Sequence, residues 1–181
     1  MKGSNGVDGQ SLQPGSKAKP LVTRLGNCQR DDSVNIEPGA WMLVYCYKTG
    51  KFLLGKRSTL VRKAGLWDFF GGHLNPGESP RAAVLRELAE ETGLTPQDRY
   101  VRPLGEVGMS TLGYAVGLRE LHYYLIFTEQ ELIPKLGPEH TDYHWFEPHD
   151  LPKDLNRPSS VAVEIGLIHK TQMLAEHLGL R

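Results

Sequence analysis

Cysteine is nearly absent from this chain of 181 residues: there are two, Cys28 and Cys46. Two thiols cannot build the disulfide framework of a small secreted domain, and their spacing suits no structural zinc site. Both read as half-buried thiols of a reducing compartment. Long apolar runs are missing too. The longest, residues 41–47, falls far short of the roughly 20 residues that span a bilayer. The opening Met1-Lys2-Gly3-Ser4-Asn5-Gly6 has one cation and no apolar segment behind it, so no secretory leader is read there. These absences predict a soluble, cytoplasmic protein with no membrane partner. Charge of one sign is also lacking. Lys plus Arg number 21 and Asp plus Glu number 21, for a net charge of zero, which argues against binding nucleic acid or anionic lipid through bulk charge.

The balance is uneven along the chain. Residues 38–67 contain no acid at all, yet Lys48, Lys51, Lys56, Arg57, Arg62 and Lys63 fall in or beside the same stretch. Most of these read as solvated hairpin and loop cations. Arg57, at a strand end, and Arg62, in the following loop, are candidate phosphate binders. Residues 1–20 have only Val7 and Leu12 as sizeable apolar side chains, too little to offset the entropy of ordering. They read as a flexible tail, native or added, ahead of a domain over 21–181. Leu21-Val22-Thr23 is a candidate edge strand.

From Ala40 onward the pattern becomes that of a packed domain. The run 41–47 is continuous and apolar, Thr49-Gly50 is a turn signal, and 51–55 is apolar again, so 40–57 predicts a hairpin. Trp67-Asp68-Phe69-Phe70 is a short apolar run ending at Gly71-Gly72. Ser79-Pro80 supplies an N-cap and a proline at the first helical position, helix formers continue to Thr92, and Gly93 supplies the stop. Residues 121–127 and 143–146 predict further strands. Val161, Ile165, Ile168 and Leu174 predict one amphipathic helix over 159–178. Strands and helices in this order imply a mixed sheet with helices on its faces. Trp41 and Trp145 read as core.

The acids of the predicted helix 80–92 are unusually placed. At about 100° per residue, Glu87, Glu90 and Glu91 share an arc of roughly 100°, with Leu85, Leu88 and Thr92 nearly opposite. Like charges at these spacings repel by about 0.2–0.5 kcal/mol per pair. A solvated acidic face would be expected to carry lysines at i+4, and only Arg86 is near. Hard divalent cations take several carboxylate oxygens, and Mg²⁺ favours phosphate co-ligands, so the face suits a metal–phosphate site.

Residues 72–94 read Gly72, five residues, Glu78, seven residues, then Arg86-Glu87-Leu88-Ala89-Glu90-Glu91-Thr92-Gly93-Leu94. This resembles the signature of the Nudix hydrolases, with every fixed position filled. The likeness extends upstream through Leu53-Leu54-Gly55-Lys56-Arg57 and Gly65-Leu66-Trp67-Asp68-Phe69. Downstream it takes in Glu139-His140, Trp145-Phe146 and Asp150-Leu151-Pro152, similar to the closing strand and short helix of many members, so that it covers about residues 38–178. One position departs: the family usually has proline before the Gly-Gly pair, and Phe70 stands there. That aromatic is expected near the substrate mouth, where it and Tyr114 are candidate base-stacking partners.

The resemblance implies a Nudix-type α/β/α sandwich and a Mg²⁺- or Mn²⁺-dependent pyrophosphohydrolase. Its substrate would be a small nucleotide, a nucleoside diphosphate linked to another moiety. Glu87, Glu90 and Glu91 match the metal-binding positions, the Gly71 carbonyl matches a further ligand of some members, and Glu78 and Arg86 match the outer shell. The general base is Glu90 or Glu139. Glu139 read alone is an ordinary loop acid, His140 is a weaker base candidate, and His144 and His149 read as surface residues. Many relatives are homodimers, so a homodimer is one expectation. The alternatives are attack at sugar carbon, a decapping-type activity on RNA 5′ ends, and a non-catalytic nucleotide-binding module. An intact signature speaks against the first and last, and zero net charge against an extended RNA surface. No subgroup motif fixes the substrate, and the glycine-rich 105–121 segment is expected to be the variable specificity loop.

Overall fold

The computed structural model describes residues 38–107 and 120–180. Among these the chain forms β1 (Gly39–Cys46), β2 (Lys51–Arg57), β3 (Trp67–Asp68), β4 (Phe70–His73), α1 (Pro80–Thr92), β5 (Arg102–Val107), β6 (Leu121–Thr128), β7 (His140–Phe146), α2 (Arg157–Glu164) and α3 (Leu167–His177), with a 3-10 turn at Asp98–Tyr100. No described helix is long and apolar enough to cross a membrane.

β1 is the central strand, and all eight of its residues are buried, as a continuous apolar run requires when both sheet faces are covered. It runs parallel to β6 from Gly39↔Leu121 to Cys46↔Thr128. On its other side it pairs antiparallel with β2 only from Val44↔Leu53 to Cys46↔Lys51. Its first half pairs instead with β4, from Gly39↔His73 to Met42↔Phe70. β2 meanwhile pairs with β7 and, at Gly55↔Asp68 and Lys56↔Trp67, with β3. The sheet is therefore mixed, in the order β3-β2-β1-β6-β5.

Alternation along β1 builds two cores. Trp41, Leu43 and Tyr45 join Val161, Ala162, Leu167, Ile168 and Ala175 of α2 and α3 on one face. Ala40, Met42, Val44 and Cys46 join Ala83, Val84 and Leu88 of α1 on the other. This is the expected α/β/α sandwich, with Trp41 and Trp145 both in its core. Truncating the fully buried Leu88 to alanine would cost about 2–5 kcal/mol.

The local signals of α1 act as anticipated. Ser79 Oγ accepts from the Ala82 N–H at 3.2 Å. At the other end Gly93 is left-handed at φ 69° and donates to the Ala89 carbonyl. Elsewhere the structure corrects the reading. The single helix expected over 159–178 is two helices, because Gly166 takes φ 78° between them. The run 67–70 is divided between β3 and β4, which pair with different strands. The short helix expected around Asp150-Leu151-Pro152 is a turn, and helix begins at Arg157. The tail 1–20, the candidate strand 21–23, Cys28, Tyr114 and most of the 105–121 segment lie outside the described residues.

Candidate active site

The site is built where β4 passes under α1. Gly71 donates its N–H to Glu91 Oε2 at 2.7 Å, fixing one oxygen of a carboxylate that is 4% exposed. A side chain at Gly72 would meet Glu87, its Cβ 2.6 Å from Oε1. The bare Gly-Gly pair thus lets the strand backbone approach the acidic face closely.

Arg86 organises the entrance to this face. Its Nε and Nη2 donate to Glu78 Oε1 and Oε2 at 2.9 and 2.8 Å, a bidentate fork. Nη1 donates to Glu87 Oε1 at 2.8 Å and to Glu90 Oε2 at 3.3 Å, and Nη2 also reaches the His73 carbonyl at 3.1 Å. Glu78 in turn accepts from the Asn75 N–H at 2.9 Å. The arginine, and then that N–H, hold the Glu78 carboxyl down at about 2.

Glu139 reaches the same place by a different route. The loop ahead of β7 is tied to the open C-terminal carbonyls of α1, Lys135 donating to Thr92 at 2.8 Å and Gly137 to Glu91 at 2.9 Å. A Cβ at Gly137 would collide with the Glu90 carbonyl. The Ser58 N–H donates to the Glu139 carbonyl, and its hydroxyl to the Pro138 carbonyl, both at 2.8 Å. The exposed Glu139 carboxylate consequently lies close enough to raise the proton affinity of Glu87 and Glu91.

Both of those helix acids are pushed upward. For Glu87 burial is the main cause, with Arg86 opposing it and the charges of Glu90 and Glu139 adding to it. Glu91 rises well above the carboxylate range, first through burial and then through Asp68 and Glu87. Among the described residues no three His, Cys, Asp or Glu side chains already form a cage; Glu87 and Glu90 are turned to Arg86. The donor set nevertheless fits a hard divalent cation. It consists of the little-exposed carboxylates of Glu87 and Glu91 with the more open Glu90 beside them, and a cation would relieve their mutual repulsion.

The structure brings Glu78, Arg86, Glu87, Glu90, Glu91, Gly71 and Glu139 together, and leaves three other candidates elsewhere. Phe70 does not face a substrate mouth: it is fully buried in the core under α1. Arg57 is not open to phosphate. Its Nη1 is spent on Asp68 Oδ2 at 3.2 Å and its Nε on the Arg62 carbonyl at 3.0 Å, at the point where the register of β2 against β7 shifts. Arg62 is exposed on its loop, and no described contact of its side chain joins it to the acidic face.

Two residues gain importance over the sequence reading. Asp68, taken only as part of a lead-in, is buried and accepts from Arg57, from Asn156 Nδ2 and from Ser159 Oγ. Burial outweighs these partners and raises its carboxyl to about 6. An acid inside an apolar run was the available signal. His140 is also buried, with neither ring nitrogen hydrogen-bonded among the described residues; burial, then Arg57, lowers it to about 4. His144 and His149 are exposed as expected.

A three-layer sandwich that sets an arginine-clamped carboxylate helix over a Gly-Gly strand defines a Nudix-type fold. The NUDIX domain model matches residues 37–164, and the chain belongs to that family. A 47-residue stretch is 49% identical to the CTP pyrophosphohydrolase of Escherichia coli (strain K12), covering 26% of this chain and 35% of that one. Over 100 residues the chain is 36% identical to an RNA pyrophosphohydrolase of Xanthomonas campestris pv. campestris, covering 47% of each. The chain therefore spans less than half the length of either curated relative. Among solved structures, a MutT NUDIX hydrolase from Burkholderia pseudomallei superposes with a TM-score of 0.58 at 26% identity, over 72% of this chain and 97% of that one.

Proposed function

We propose that the protein is a divalent-metal-dependent pyrophosphohydrolase that cleaves a nucleoside diphosphate linked to another moiety, as in a nucleoside triphosphate, nucleotide sugar or dinucleotide. The observation that carries this reading is the crowding of acids on one face: Glu87 and Glu90 share Arg86, while Glu91 is buried, meets no cation among the described residues and feels the charges of Glu87 and Glu139. Glu87, Glu90, Glu91 and the Gly71 carbonyl would hold Mg²⁺ or Mn²⁺, which when bound neutralises diphosphate charge and acidifies water. Glu78 keeps Arg86 extended across the helix, and Arg86 steers Glu87 and Glu90. A water oxygen attacks phosphorus, the bridging P–O bond breaks, and a carboxylate takes the water proton. Of the two candidate bases, Glu139 has the freer side chain, since Glu90 shares Arg86. The products are a nucleoside monophosphate and the phosphorylated remainder.

A second reading, action on RNA 5′ ends, is favoured by the similarity to RNA pyrophosphohydrolases. Incubation with nucleoside triphosphates, nucleotide sugars, dinucleotides and 5′-triphosphorylated RNA, with Mg²⁺ or Mn²⁺, separates the possibilities. Release of a nucleoside monophosphate is the expected result. Intact nucleoside diphosphate plus free sugar would instead mean attack at carbon, and tight binding without turnover a regulatory module. Glu91→Gln is expected to lower turnover by orders of magnitude in a folded protein; near wild-type activity would remove Glu91 from the metal set.

A further inference from the structure

His140 heads β7, and its side chain is 1% exposed. Buried polar atoms are nearly always hydrogen-bonded, and one that is not calls for a physical reason. Here neither Nδ1 nor Nε2 has a partner among the described residues.

The ring is held from two sides. Phe70 packs edge-on against it, with centroids 5.2 Å apart. Gly55 lies beneath both rings: a Cβ there would stand 2.5 Å from His140 Cδ2 and 2.8 Å from Phe70 Cε1. The residue before the Gly-Gly pair thus serves as a wall for the imidazole, which explains a buried aromatic where the resemblance leads one to expect proline. In this setting Nδ1 lies 3.8 Å from Glu91 Oε1, while the other oxygen, Oε2, accepts from Gly71. A distance of 3.8 Å is not yet a hydrogen bond, but a side-chain adjustment of under about 1 Å would make it one.

We propose that His140 is a positioning residue for Glu91: wedged between Gly55 and Phe70, it presents Nδ1–H to Oε1 and, with the Gly71 N–H on Oε2, fixes the carboxylate in its cation-holding orientation. The inference rests on the reading of Glu91 as a cation ligand. A neutral imidazole suffices, and in the Nδ1–H tautomer the atom left unpaired, Nε2, is an acceptor rather than a buried donor. Outer hydrogen bonds of this kind fix the orientation of ligating groups.

The test measures Mn²⁺ affinity of the full chain by titration calorimetry in the wild type, His140→Leu, His140→Asn and Glu91→Gln. Histidine ¹⁵N NMR of the wild type with saturating Mg²⁺ accompanies it. His140→Leu is expected to weaken Mn²⁺ binding about 10- to 100-fold, and His140→Asn, whose amide can donate from nearly the place of Nδ1, to recover most of that loss. The NMR is expected to show the Nδ1–H tautomer, and it decides the matter if the leucine variant fails to fold. Wild-type affinity in folded His140→Leu, an asparagine no better than leucine, or an Nε2–H tautomer would overturn the proposal. If Glu91→Gln also binds Mn²⁺ like the wild type, the metal reading itself falls; if it loses binding while His140→Leu does not, only the role of His140 falls.

Discussion

A Cβ at Gly71 would collide with the Ala40 carbonyl oxygen, and the backbone there runs at φ 152°. At Gly72 the obstacle is different: the flexible end of Glu87, with no unusual backbone angle. Adjacent glycines therefore answer to different physics, one to the strand pairing and the other to the acidic face. Gly71→Ala should destabilise the fold by about 1–3 kcal/mol, the cost of a side chain in a disfavoured backbone region, with the steric clash adding to it. Gly72→Ala should change stability by no more than about 0.5 kcal/mol, while weakening Mg²⁺ binding by displacing Glu87. Urea unfolding paired with calorimetric Mg²⁺ titration checks both. Equal losses of stability in the two variants would show that Gly72 serves packing rather than the ligand.

At the scale of elements, a buried acid on the sheet gathers the polar groups that open α2, beside the apolar core that packs the C-terminal helices. Asn156 caps the start of α2, and both it and Ser159 donate to Asp68 on β3. Asp68 has its folded pKa raised from the usual 3.8 to about 6. Between those values the folded state binds more protons than the unfolded one, so this group's contribution is fully present below pH 3.8 and is lost as pH rises through about 6. Its ionisation costs on the order of 3 kcal/mol by pH 7. In urea unfolding at pH 4 and pH 7, wild type relative to Asp68→Asn should lose about that much on going to the higher pH. A difference between the two proteins that does not vary with pH would mean that Asp68 is already ionised at pH 4. What could be read from sequence follows the same division between local and distant causes. Helix α1 was legible in full because Ser79, Pro80 and Gly93 encode its ends locally, and the acidic arc follows from helical geometry alone. The break at Gly166 was hidden because apolar spacing continues across it, and a left-handed glycine shows only in the backbone. Strand β5 carries Pro103 and Gly105 on either side of a register shift, which masks its alternation. His140, Asp68 and the inward turn of Arg57 depend on pairing of β2 with β3 and β7, contacts that no local pattern encodes.

At the scale of the whole molecule, the balance of 21 cations against 21 acids is realised partly as pairs. Lys48 meets Glu129 at 2.7 Å, Lys51 meets Glu131 at 3.2 Å, Arg81 meets Asp98 at 2.7 Å and Arg157 meets Glu164 at 2.6 Å. Such exposed pairs add little stability, but each cancels the field of a cation that could otherwise track a polyanion. Arg57 is turned inward to Asp68 and Arg86 is committed to three carboxylates, so neither contributes to an extended basic track. This bears on the two substrate readings. A protein that grips RNA along its backbone loses affinity steeply with salt, by a slope of about 0.7 for each single-strand phosphate contacted. With these six cations so engaged, this protein should treat the 5′ end of an RNA and a free nucleotide alike. Plots of log kcat/KM against log salt for a 5′-triphosphorylated oligonucleotide and for a nucleoside triphosphate should differ in slope by less than about 0.7, one phosphate contact. An oligonucleotide slope steeper by about 2 or more would require several backbone contacts, and would move the assignment from a small nucleotide to RNA.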